Sequence, residues 1–230
     1  MIKSNKKPLI IWDFDGVMAD SERLWIEVWR NLLKKEKNIV LTKEEELKLL
    51  VGAADRTKKH NLQSYFPNVT FDADFMQKIT EGEIYMGRNF MKPMPGLEQI
   101  LSDSHFEHCI ATGGTKEQHG WKMSILPEIN SYIKEEDCFT VDMVKHGKPA
   151  PDLFLLVLQK KGYKANQAVV IEDSLNGIQA AKGASVPCIA FVGAEGNNTP
   201  DYKKQCLEAG ALTVCQNMME LHNTLKKLFI

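Results

Sequence analysis

Cysteine is scarce and unpatterned in this chain: there are five, an odd number, scattered and never spaced C-x-x-C. That pattern argues against a disulfide framework and against a cysteine-based zinc site. Cys109 and Cys188 lie inside short apolar runs, where a thiol serves as a small hydrophobe. Long apolar runs are missing too, since nothing approaches the roughly 20 residues that a membrane span needs. The N-terminus imitates a secretory signal only briefly: Lys3, Lys6 and Lys7 precede Pro8-Leu9-Ile10-Ile11-Trp12, but Asp13 and Asp15 end the run too early. The expectation is a cytoplasmic protein without a membrane partner. Neither sign of charge prevails, because 29 Lys plus Arg nearly cancel 30 Asp plus Glu. No bulk field therefore recruits nucleic acid or an anionic surface, and any charge that matters acts locally. Internal repeats and low-complexity segments are absent, and His60, His119 and His146 show no ligand spacing.

What is present is an ordinary globular composition, 43% apolar and 26% charged over 230 residues, which supports one or two domains with a substantial core. Short apolar runs bounded by turn residues recur at Leu9–Trp12, His108–Ala111, Phe139–Val141, Val169–Ile171, Cys188–Val192 and Leu212–Cys215. Each reads as a buried strand of a parallel sheet. Helical patterns at Pro151–Lys161, Leu175–Lys182, Pro200–Ala209 and Met218–Leu228 alternate with the later runs, with Gly162, Gly183 and Gly210 as expected stops.

The first interval breaks the rhythm. A βαβ crossover takes about 30 residues, and Trp12 and His108 lie much further apart. The extra sequence is helical in pattern: a stripe of Leu24, Val28, Leu32 and Leu33, a capping box of Thr42 with Glu45 opening a helix through Leu50, then Arg56–Tyr65 and Asp74 to Phe90. Pro93 and Pro95 mark the return. The expected fold is α/β: a doubly wound, Rossmann-like parallel-sheet core of residues 1–19 and 93–230, with an α-helical cap of residues 20–92 inserted. Trp25 and Trp29 read as core of that cap, and Lys34-Lys35-Glu36-Lys37 as a solvated helix end.

In an open parallel sheet, ligands bind beyond the carboxyl ends of the strands. There the sequence places Asp13 and Asp15 after strand one, Thr112 with Gly113 and Gly114 after strand two, and Glu172 with Asp173 after strand four. Four carboxylates at apolar strand ends repel one another and lose hydration, so a cation must compensate them. All-oxygen ligands favour a hard ion such as Mg²⁺. Lys148, in Gly147-Lys148-Pro149-Ala150-Pro151-Asp152, adds a fixed positive charge after strand three. Gly113 and Gly114 allow backbone N–H groups to approach an oxyanion. Metal, lysine, hydroxyl and backbone donors around a carboxylate suit phosphoryl transfer. Asp13 is placed to attack phosphorus. Asp15 is expected to face the same way through the period-two alternation of a strand and to act as acid and base. The competing reading is an Asx-capped D-G turn, with Glu172-Asp173-Ser174 as a helix cap, Lys148 a solvated loop lysine and Thr112 a plain strand residue.

Those residues carry a resemblance. D-F-D-G-V-M-A-D-S-E at 13–22, the strand ending in Thr112, H-G-K-P-A-P-D at 146–152 and V-I-E-D-S-L-N-G-I at 170–178 occur in the order found in the haloacid dehalogenase superfamily, and resemble its phosphatases and phosphomutases related to β-phosphoglucomutase. The resemblance implies that Asp13 is nucleophile and metal ligand, and that Asp15 is acid–base residue and a ligand through its carbonyl. It also implies that Thr112 and Lys148 hold the transferred phosphoryl group, and that Asp173 with Glu172 completes a Mg²⁺ site. Many relatives carry a polar side chain where Gly113 and Gly114 stand, and an Ala-Gly pair near Ala184-Ser185. In the family the cap closes over the substrate, which makes Glu22, Gly52 and Arg56, around the break Gly52-Ala53-Ala54-Asp55-Arg56, the candidates for substrate contact. A guanidinium suits a second phosphate, a carboxylate or sugar hydroxyls.

The expected function is a Mg²⁺-dependent phosphatase of a small phosphorylated metabolite, with sugar phosphates leading. The Asp20-Ser21-Glu22 continuation is closer to the sugar phosphatases than to the mutases. A phosphomutase and a non-catalytic binding module on the same fold are the alternatives. Dehalogenation and phosphonate hydrolysis are disfavoured by Asp15. The expected partner is a small-molecule phosphate ester, with no nucleic acid and no membrane, and the expected state is a monomer.

Overall fold

The computed structural model describes residues 6–53, 55–194 and 198–230. Lys3 and Ala54, both invoked above, lie outside the described residues. The chain divides into two compact units, Met1–Asp20 with Pro93–Ile230, and Ser21–Lys92.

The first unit is built on six strands, β1 (Leu9–Trp12), β2 (Glu107–Ala111), β3 (Cys138–Phe139), β4 (Ala168–Glu172), β5 (Cys188–Phe191) and β6 (Thr213–Cys215). All neighbouring strands pair in parallel, in the order β3-β2-β1-β4-β5-β6. The order reverses direction at β1, the topological switch point at which a crevice opens beyond the strand ends. Every side chain of β1 and β4 is buried, as a sheet covered on both faces requires. Alternate residues Leu9, Ile11, Cys109, Ala111, Val170, Cys188 and Ala190 form one core layer with Leu153, Phe154 and Val157 of the Asp152–Lys161 helix and Ile178 and Ala181 of the Leu175–Gly183 helix. Register does the positioning: Trp12 lies level with Ile110 on one side and Ile171 on the other. The residues that follow therefore leave the sheet side by side.

Three sequence expectations need correction here. The third strand ends at Phe139 instead of Val141, because Val141–Met143 turns into a 3-10 helix, where the Thr140 hydroxyl bonds Asp142 Oδ1. Gly183 is the last residue of its helix and not its stop. The left-handed residue beyond it is Ser185, with φ of 58°. Gly162, with φ of 68°, and Gly210, with φ of 124°, do end their helices in the conformation that favours glycine. Finally, the helix Lys116–Ile125 was not foreseen. Its signal is a capping box in which Thr115 accepts from the Gln118 N–H and the Gln118 side chain accepts from the Thr115 N–H.

The second unit is helical: Glu22–Lys37, Lys43–Leu49, Asp55–Tyr65 and Ala73–Phe90. Trp29, Leu33, Leu62, Phe71, Phe75 and Ile79 form its core, and Trp25 is buried as well. The Thr42–Glu45 capping box is formed, with both hydrogen bonds in place. Arg30 grips buried Glu46 with two hydrogen bonds, 2.5 and 2.9 Å, so the buried carboxylate is compensated.

Candidate active site

Asp13 is the first residue beyond β1. Its N–H donates to the Ile171 carbonyl (2.9 Å), which continues the sheet register by one step and fixes the side chain at the switch point. Glu172 ends β4 and Asp173 follows it, while Thr112 follows β2 and donates its N–H to the Phe139 carbonyl (3.0 Å). Asp13, Glu172, Asp173 and Thr112 are all buried. Carboxylate oxygens of Asp13, Glu172 and Asp173 lie within 4.8 Å of one another. No histidine or cysteine belongs to that group among the described residues.

Lys148 reaches into the cluster from the loop after β3. Its ammonium donates to Asp13 Oδ1 (2.5 Å), Glu172 Oε1 (2.7 Å) and the Ala111 carbonyl (2.9 Å). An ammonium has three donors, and each has a partner here. Burial works against its charge, but Asp13 and Glu172 more than offset this and hold the lysine above its ordinary value. Asp13 is the strained partner: burial pushes its carboxyl up to about 7, Lys148 pulls it down, and Glu172 and Asp15 push it up again.

Three buried carboxylates stand around the Lys148 ammonium. Ionising all three at such burial is costly. A hard divalent cation would offset that cost, and an all-oxygen donor set suits such an ion. Two glycines keep the cluster open. A Cβ on Gly16, whose φ is 78°, would overlap Asp173 Oδ2, and a Cβ on Gly177 would overlap the Glu172 carboxylate. Glu172 Oε2 is also held by the Ser174 N–H (2.8 Å) and hydroxyl (2.9 Å), while the same hydroxyl oxygen accepts from Gly177 N–H to cap the Leu175–Gly183 helix.

Asp15 lies in a turn beyond the strand: Gly16 is left-handed, Gly16 N–H donates to the Ala19 carbonyl, and Met18 N–H donates to the Phe14 carbonyl. Its carboxylate takes both oxygens to Lys122 Nζ, at 2.9 and 2.7 Å. Sequence reasoning missed Lys122, since only the fold brings position 122 of an unassigned helix to position 15. The Gly114 N–H donates to Thr112 Oγ1 (3.1 Å), orienting that hydroxyl, whereas a Cβ on Gly113 would meet nothing within 4 Å.

The remaining candidates, Glu22, Gly52 and Arg56, belong to the second unit. Gly52 is left-handed, with φ of 65°, and its N–H donates to Glu22 Oε1. Arg56 is exposed in the first turn of Asp55–Tyr65. Nearby Lys58 is buried and pairs with Asp55 (3.2 Å). Burial disfavours its charge, but Asp55, Glu83 and Glu22 hold it above the ordinary lysine value.

A family model described as haloacid dehalogenase-like hydrolase matches residues 10–191. A phosphorylated carbohydrates phosphatase of Thermotoga maritima is 26% identical over 222 residues, covering 95% of this chain and 98% of the relative. Among solved structures, a haloacid dehalogenase-like protein of unknown function from Agrobacterium tumefaciens superposes with a TM-score of 0.82 at 24% identity, covering 97% of this chain and 99% of that one. A putative β-phosphoglucomutase from Thermotoga maritima gives a TM-score of 0.73 at 25% identity, with 96% and 99% covered.

Proposed function

The chain belongs to the haloacid dehalogenase-like hydrolases, and from that premise we propose that it is a Mg²⁺-dependent phosphatase of small phosphorylated metabolites, with sugar phosphates as substrate class. One observation carries the reading: a buried carboxylate, Asp13, stands at the switch point with Lys148 on one oxygen and Glu172 and Asp173 beside it. Asp13, Glu172, Asp173 and the Asp15 carbonyl would hold the ion. Bound there, Mg²⁺ supplies charge neutralisation for the carboxylates and the phosphoryl oxygens.

Asp13 attacks phosphorus, an Asp13–phosphorus bond forms, and the bond from phosphorus to the alcohol oxygen breaks. The proton held on Asp15 passes to the departing alkoxide. Water then attacks the aspartyl phosphate, its proton returns to Asp15, and phosphate leaves with Asp13 restored. Lys148, the Thr112 hydroxyl and the backbone at Gly113 and Gly114 steady the transferred group. The choice of substrate is assigned to Glu22, Gly52 and Arg56. Support for the sugar class comes from the Thermotoga maritima relative, named for phosphorylated carbohydrates. A cytoplasmic location is supported by five buried free thiols and by the lack, among the described residues, of a helix long and apolar enough to cross a membrane.

The test is a panel of phosphate esters assayed with Mg²⁺ against wild type and Asp13→Asn. Free phosphate that disappears in the variant and in EDTA supports the reading. Isomerised sugar phosphate without net release makes the protein a phosphomutase, and no turnover on a broad panel makes it a binding module. An Arg56→Ala variant with unchanged kcat/KM on every ester removes Arg56 from the assignment.

A further inference from the structure

Asp15 and Lys122 form an ion pair separate from the Asp13, Glu172 and Lys148 cluster. The side chain of Lys122 is only 8% exposed, and that of Asp15 is 27% exposed. A lysine this deep is anchored, unlike a surface lysine that swings in solvent. Its ammonium sits 6.0 Å from the Phe14 ring centroid and 5.8 Å from that of Trp121, within cation–π range of both. Phe14 is itself fully buried and packs edge-on against His119, with centroids 5.3 Å apart. Burial lowers His119 to about 4, helped by Lys122, so the imidazole is neutral at physiological pH and packs as an aromatic ring.

The anchor also has a rigid base. Lys122 lies on the Lys116–Ile125 helix, whose start is fixed by the Thr115–Gln118 capping box directly after Thr112, Gly113 and Gly114. One element therefore ties the phosphoryl-holding hydroxyl to the lysine that grips Asp15. The backbone turn at residues 14–19 fixes where Asp15 begins. Two hydrogen bonds from Lys122 hold its carboxylate.

We propose that Lys122 is a positioning residue: it holds the Asp15 carboxyl in the orientation for proton transfer to and from the leaving alcohol. The inference rests on the acid–base reading of Asp15 given above. Its value lies in geometry, since a misplacement of about 1 Å costs about 100-fold in such a step.

The experiment compares Lys122→Met, Lys122→Arg and Asp15→Asn with wild type on a sugar monophosphate and on p-nitrophenyl phosphate, both with Mg²⁺. The sugar alkoxide needs a proton to leave and nitrophenolate does not, so the ratio of the two kcat/KM values reports proton delivery. Being taken on one preparation, that ratio is unaffected by any loss of folded protein. The expected result is a fall of at least about tenfold in the sugar-to-nitrophenyl ratio for Lys122→Met, a larger fall for Asp15→Asn, and recovery of most of the ratio in Lys122→Arg. If Asp15→Asn lowers the ratio and Lys122→Met does not, the positioning role is overturned while the acid–base reading stands. If Asp15→Asn leaves the ratio unchanged, the acid–base reading fails and the positioning role with it.

Discussion

Asp13→Asn tests the electrostatics of the site without any substrate. In the folded protein the Asp13 carboxyl is pushed up to about 7, chiefly by burial, against an ordinary value of 3.8. A carboxyl whose value is raised by folding keeps its proton in the native state when the unfolded chain has already lost it. Its contribution is therefore favourable below about pH 4 and is lost as pH rises towards 7. The difference between 3.8 and about 7 corresponds to an upper bound of about 4 kcal/mol, of which about 3 kcal/mol falls between pH 5 and pH 8. Asparagine has no charge to lose, and its amide oxygen can still accept from Lys148. In metal-free buffer the wild type should thus lose stability relative to Asp13→Asn as pH rises. For a chain of this size, that is a change of roughly 6–12 °C in the difference between the two Tm values. Thermal unfolding followed by circular dichroism in EDTA at pH 5, 6, 7 and 8 measures it. Mg²⁺ added at pH 8 should stabilise the wild type more than the variant. If the two proteins keep a constant difference in Tm across the range, Asp13 ionises like an exposed carboxyl and the argument for a charge-starved cluster is refuted.

Three further outcomes follow from the same geometry. Lys148→Met removes the ammonium shared by Asp13 and Glu172, so the metal-free protein should lose about 3–5 kcal/mol of stability at pH 8; an unfolding midpoint equal to wild type in urea would contradict this. Gly16→Ala places a methyl group on Asp173 Oδ2 at a left-handed φ, so the Mg²⁺ concentration for half-maximal phosphate release should rise at least about tenfold, and an unchanged Mg²⁺ titration would dismiss the contact. Ser174→Ala deletes a helix cap and a bond to Glu172, for an expected loss of about 1–2 kcal/mol in denaturant unfolding; no loss would show the cap to be dispensable.

The sheet and the residues at its edge were legible because both obey local rules. A buried parallel strand is a short apolar run, and β1 and β4 carry that run next to Asp13 and Glu172. The roles of the glycines at 16 and 177 show only in the fold, where each faces a carboxylate that a side chain would displace. What escaped was set by tertiary contact. Lys122 lies 107 positions from Asp15 in sequence, on a helix with a weak apolar stripe, and no spacing rule links them. Gly183 was misread as a stop because a glycine near a helix end is the usual signal, whereas here Ser185 adopts the left-handed conformation.

The central claim is that Asp13 carries the phosphoryl group. The most direct measurement is acid quenching within one turnover after mixing the protein with Mg²⁺ and a sugar monophosphate, followed by peptide mass mapping. The proposed function predicts one added phosphoryl group on the peptide containing Asp13, and neither adduct nor phosphate release in Asp13→Asn. Phosphate release without an adduct on that peptide, or release undiminished in Asp13→Asn, would contradict it.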